Sequence, residues 1–130
     1  MLHCSSILLV EDDHYDREVF KFALNEIINT PTIDVVSNGE EALNWLYGSL
    51  VLPELIFMDV TIPLMDGIEC LKVIKNDPLM SHIPVIVLTT SEAHREQALQ
   101  SGAKGCIRKP NTEKAIREAI ESVIRTDTKR

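Results

Sequence analysis

The sequence predicts a doubly wound α/β domain, a parallel sheet covered by helices on both faces, and three observations carry that prediction. Short apolar runs alternate with segments of helical period along the whole chain. Three of the five runs are apolar without a break, as expected of strands buried on both faces of a parallel sheet. Pro31, Pro53, Pro78 and Pro84 all fall between these segments, where a chain changes direction.

The strand candidates are Ile7 to Val10, Ile33 to Val36, Leu55 to Met58, Val85 to Leu88 and Gly105 to Arg108. The second and fifth carry Asp34 and Arg108, which suits sheet edges. The first helix shows Val19, Phe20, Ala23, Leu24 and Ile27 at spacings of three and four, and the second Ala42, Leu43, Leu46 and Tyr47. Ile68, Leu71 and Ile74 mark the third. The fourth, near His94 to Ser101, has the weakest apolar stripe, and Ile116, Ala119, Ile120, Val123 and Ile124 mark the fifth. Ser91 or Thr90 suits the N-cap of the fourth helix, Gly102 its end, and Thr112 the N-cap of the fifth. Parallel neighbours need right-handed crossovers, so five strands and five helices give a three-layer, flavodoxin-like sandwich. Strand order 2-1-3-4-5 is a common solution at this size and puts ligands at the ends of strands 1 and 3.

A chain of 130 residues holds one well-packed core, so residues 1–130 are expected to form a single domain with a frayed tail from about Thr126. Hydrophobic residues at 45% and charged residues at 25% exclude a disordered chain. The apolar runs are far shorter than the roughly 18 residues of a membrane span. Ile7 to Val10 lacks the basic flank of a secretion signal, so a cytoplasmic protein is expected. A net charge of −7 disfavours nucleic acid and anionic membrane as partners. Cys4, Cys70 and Cys106 are odd in number and widely spaced, which supports neither a disulfide framework nor a zinc cluster. The four histidines read as surface residues.

The strand ends carry the chemistry. Glu11, Asp12 and Asp13 follow the first strand, Asp59 the third, Thr89, Thr90 and Ser91 the fourth, and Lys109 the fifth. Carboxylates gathered at one rim repel unless a counter-charge joins them, and a hard divalent cation such as Mg²⁺ answers that need. Thr89 can donate a hydrogen bond and Lys109 a positive charge to a phosphoryl group in transfer. Asp59 is then the nucleophile. Each residue also has an ordinary structural use, and Asp13 is at least as well suited to capping the first helix as to binding metal. The joint pattern is far more specific than any one member.

These residues resemble the receiver domain of two-component response regulators over nearly the whole chain. Ile7-Leu8-Leu9-Val10-Glu11-Asp12-Asp13 resembles the family's first strand with its acidic pair, and Met58-Asp59-Val60-Thr61-Ile62-Pro63-Leu64-Met65-Asp66-Gly67 its phosphoacceptor motif. Asn38-Gly39-Glu40-Glu41-Ala42-Leu43 and Arg108-Lys109-Pro110 match two further signatures. Ile74 to Pro84 and Val87 to Ser91 resemble the stand-alone receivers that accompany phytochrome-type kinases.

The resemblance implies that Asp59 takes a phosphoryl group from a sensor histidine kinase. It implies a Mg²⁺ site at Asp12, Asp59 and the carbonyl of Thr61, with Glu11 acting through water. Thr89 and Lys109 would hold the phosphate, and Lys109-Pro110 would be a cis peptide. Output would pass to a protein partner through helix 4, strand 5 and helix 5, a face that also supports homodimers. Cys106 departs from the family pattern, since an aromatic residue usually stands there; the signal would then run mainly through the loop after strand 4 and helix 4. Thr61 and Ser91 occupy positions that tune phosphate lifetime. A relay intermediate passing phosphate to a histidine phosphotransfer protein is the alternative within this class. A phosphatase is a different class, but Thr61 stands where its acid would be. A hydrolase built on Ser91 and His94 lacks a nucleophile elbow.

Overall fold

The computed structural model describes residues 2–4, 6–29, 32–60, 66–109 and 112–128. The alternation appears in the expected order: β1 (Leu2–His3), β2 (Ser6–Val10), α1 (His14–Ile27), β3 (Ile28–Asn29), β4 (Thr32–Val36), α2 (Gly39–Gly48), β5 (Leu55–Asp59), α3 (Gly67–Asn76), β6 (Val85–Thr89), α4 (Glu92–Gln100), β7 (Gly105–Arg108) and α5 (Glu113–Thr128). The main sheet is parallel and ordered β4-β2-β5-β6-β7, which is the anticipated 2-1-3-4-5 once the two-residue strands are set aside. The strands carrying Asp34 and Arg108 are its edges. The short pair β1 and β3 forms a separate parallel ribbon, which two-residue strands without periodicity could not announce.

Alternate strand residues feed two cores. Ile7, Leu9, Phe57, Ile86 and Leu88 pack under α1 and α5, where Phe20 meets Phe57 edge-on with ring centroids 5.0 Å apart. Leu8, Val10, Ile56, Met58 and Val87 pack under α2, α3 and α4. All five apolar residues expected on α1 are buried, whereas Ala98 is the one buried residue of α4.

The caps act as the sequence anticipates. Asp13 accepts the Asp16 N–H at 3.0 Å, Ser91 caps α4, and Thr112 Oγ1 accepts the Ala115 N–H at 3.1 Å. Gly102 ends α4 with φ at 106°. Helix α5 extends to Thr128, so its backbone stays helical past Thr126, where a tail was expected to begin. One expectation changes, at His94. His94 lies on the inward side of α4, one turn before Ala98. Its Nδ1 is shielded from solvent and has no hydrogen-bond partner among the described residues. His14 and His82 are exposed as expected.

Candidate functional site

The crossovers bring the carboxyl ends of β2, β5, β6 and β7 to one rim. Asp59 is the last residue of β5 and Glu11 follows β2 directly, held by its N–H to the Val36 carbonyl at 3.0 Å. Both side chains are 2% exposed. Asp12, the next residue, is exposed at the edge of the same hollow. Glu11, Asp12 and Asp59 each offer an oxygen, all within 4.8 Å of one another.

Lys109 enters from the end of β7, aligned by its backbone N–H to the Thr89 carbonyl at 2.8 Å. Its Nζ donates to Asp59 Oδ2 at 2.7 Å, Glu11 Oε1 at 2.8 Å and Asp16 Oδ2 at 3.1 Å. Burial would pull its pKa down, but the hydrogen bonds and charges of Asp59 and Glu11 outweigh that and hold it above the usual lysine range. For Glu11 burial is the larger influence. It pushes the carboxyl up to about 7, Asp59 adds to the rise, and Lys109 offsets part of it. One ammonium therefore leaves negative charge at the rim undercompensated, and a set of hard carboxylate oxygens in that condition fits a divalent cation.

Thr89 is buried at the end of β6, but its hydroxyl turns to the following loop. Oγ1 accepts the Ser91 N–H at 3.0 Å and lies 3.3 Å from the Ser91 carbonyl, to which it donates. Of the residues singled out in the sequence, Glu11, Asp12, Asp59 and Lys109 thus converge, and Thr89 stands on the adjoining strand. Thr61 and the Lys109-Pro110 peptide, with Pro63, lie outside the described residues. Asp13 contributes to the α1 cap, as its alternative reading held.

Three residues that shape the rim escaped sequence reading. Asp16 reaches Lys109, and the signal for it was its place in the first turn of a helix that starts at the rim. Arg17 donates from Nε to the Glu11 carbonyl at 2.6 Å and from its guanidinium to Ser37 Oγ, joining α1 to the loops after β2 and β4. Gly67, visible only as part of a motif, opens α3 so close to β5 that a Cβ would lie 2.5 Å from Val60 Cα and 2.7 Å from the Asp59 carbonyl oxygen. Cys106, on β7, is half-buried beneath α4, and burial raises its thiol, with Arg95 opposing and Glu92 adding to the rise.

Residues 7–121 match the family profile of the response regulator receiver domain. The chain belongs to the response regulator receiver family. Receivers are signalling modules of two-component systems rather than conventional enzymes. The chain is 31% identical over 118 residues to the chemotaxis protein CheY of Halobacterium salinarum, covering 91% of this chain and 95% of that protein. Among solved structures it is similar to the phosphorylated cyanobacterial phytochrome response regulator RcpA, with a TM-score of 0.82 and 29% identity over 92% of this chain and 91% of that one. The Mn²⁺-bound form of response regulator Rcp1 aligns with a TM-score of 0.81 and 28% identity, again over 92% and 91% of the two chains. The narrower likeness to phytochrome-associated receivers is therefore borne out. No helix among the described residues is long and apolar enough to cross a membrane.

Proposed function

We propose that this receiver accepts a phosphoryl group on Asp59 from the phosphohistidine of a sensor kinase and signals by phosphorylation-dependent protein binding. The observation that carries the reading is a buried Asp59 held between the Lys109 ammonium at 2.7 Å and the carboxylates of Glu11 and Asp12. An Asp59 oxygen attacks phosphorus, a P–O bond forms, and the P–N bond breaks with its electron pair returning to the imidazole. Lys109 orients Asp59 before transfer and then faces a phosphoryl oxygen. The Thr89 hydroxyl, on leaving Ser91, donates to a second phosphoryl oxygen.

Glu11, Asp12 and Asp59 are the residues that would hold Mg²⁺, with Thr61 offering its carbonyl. When bound, the cation would neutralise charge developing on the phosphoryl oxygens. A phosphorylated RcpA and a Mn²⁺-bound Rcp1 support this reading by similarity. The protein partner is expected on α4, β7 and α5, a face that also suits homodimerisation, and a cytoplasmic location is expected for a receiver served by such a kinase. To test the reading, beryllofluoride and Mg²⁺ are added while backbone amide shifts are followed. Val60 and its neighbours shift in the wild type, and an Asp59→Asn variant that responded equally would falsify it.

A further inference from the structure

Lys109 makes one contact that phosphoryl acceptance at Asp59 does not require. An ammonium has three N–H donors, and here all three go to carboxylates: Asp59, Glu11 and Asp16. The three are not equivalent. Glu11 and Asp59 are buried, and the second oxygen of Glu11 already accepts the Asp13 N–H at 3.2 Å. The Asp16 side chain is 40% exposed and its contact is the longest, at 3.1 Å. Its backbone N–H is fixed on Asp13, so it approaches Lys109 from α1. There it meets a cavity of about 30 Å³, bounded by Phe20, Leu88, Ile107 and Ile116, that leaves space beside the lysine.

As the Lys109 donor now on Asp59 passes to a phosphoryl oxygen the ammonium shifts outward, and its contacts with Glu11 and Asp16 compete with that shift. Releasing Glu11 would strip a buried carboxylate of a charged partner, whereas water replaces the lysine at Asp16 with little cost. We propose that Asp16 is a positioning residue of the phosphoacceptor site, holding the Lys109 ammonium toward α1 and setting how readily it turns to a phosphoryl oxygen. The proposal rests on the phosphoacceptor reading of Asp59. Neutralising Asp16 frees a donor and removes a negative charge that opposes the incoming anion. Both effects favour phosphoryl-like anions.

The test titrates beryllofluoride, with Mg²⁺ saturating, into the full chain as wild type, Asp16→Asn, Asp16→Glu and Asp59→Asn, following the Val60 amide. Asp16→Asn is expected to lower the half-saturating concentration by roughly three- to tenfold, the effect of one charge at a partly screened site. Asp16→Glu restores wild-type affinity. A purely structural role in the first turn of α1 would lower the melting temperature of Asp16→Asn without tightening the anion. Unchanged or weaker binding in Asp16→Asn overturns the proposal when the wild type responds and Asp59→Asn does not. If Asp59→Asn responds like the wild type, the phosphoacceptor reading fails and takes this one with it.

Discussion

The acidic rim and helix α4 lie next to one another and are held by opposite means. Glu11 and Asp59 are buried at the ends of inner strands, and the partly buried Lys109 of the edge strand β7 joins them by charge-assisted hydrogen bonds of 2.7 to 2.8 Å. Helix α4 buries Ala98 alone, and its cap is a long contact of 3.4 Å from the His94 N–H to Ser91 Oγ. Among the described residues Thr89 links the two, its hydroxyl tied to Ser91. The rim is therefore the more tightly held of the two and α4 the more loosely held.

The comparison can be broken from the rim first. Replacing Lys109 with Met leaves two buried carboxylates without their cation, and metal-free unfolding in urea should record a loss of about 3 kcal/mol, partly restored by Mg²⁺. An unchanged midpoint would mean that the carboxylates do not depend on the lysine. Gly67→Ala attacks the same rim through the backbone, because the new Cβ overlaps Val60 and Asp59 and α3 has to move away. A loss of about 2 kcal/mol is expected, with amide shifts centred on Asp59.

A subtler effect comes from Glu11. Its folded pKa of about 7 lies above the ordinary 4.5, so the folded state holds the proton more tightly. Its contribution to stability is then full below about pH 4.5 and is lost as pH rises through about 7. With chelator present the loss across that window is on the order of 2 kcal/mol, and Glu11→Gln should flatten the slope. A wild-type slope retained in the variant would assign the titration elsewhere.

The smallest effect tests α4. Ser91→Ala removes a weak cap and should cost about 0.5–1 kcal/mol, while speeding amide exchange in α4 more than in α3. Equal exchange in both helices would remove the contrast between a tightly held rim and a loosely held helix.

How much of this could be read from the residues follows the same division. The strands were legible because burial on both faces leaves unbroken apolar runs, and the edges because Asp34 and Arg108 interrupt theirs. Glu11, Asp12, Asp59 and Lys109 were legible because strand ends in this topology share a rim. Asp16 and Arg17 were not, since a helix residue reaches the rim through its rotational position, which spacing alone leaves open. His94 was misjudged because α4 has too faint a stripe to reveal its inward side. The ribbon of β1 and β3 is too short to have a period.

The central claim is that Asp59 is the phosphoacceptor, and mapping the phosphoryl group tests it most directly. After incubation with acetyl phosphate and Mg²⁺, peptide mass spectrometry is expected to find one base-labile phosphoryl group, on the peptide bearing Asp59, and none in Asp59→Asn or in chelator. Stable label on another residue, or equal label in Asp59→Asn, would contradict the account.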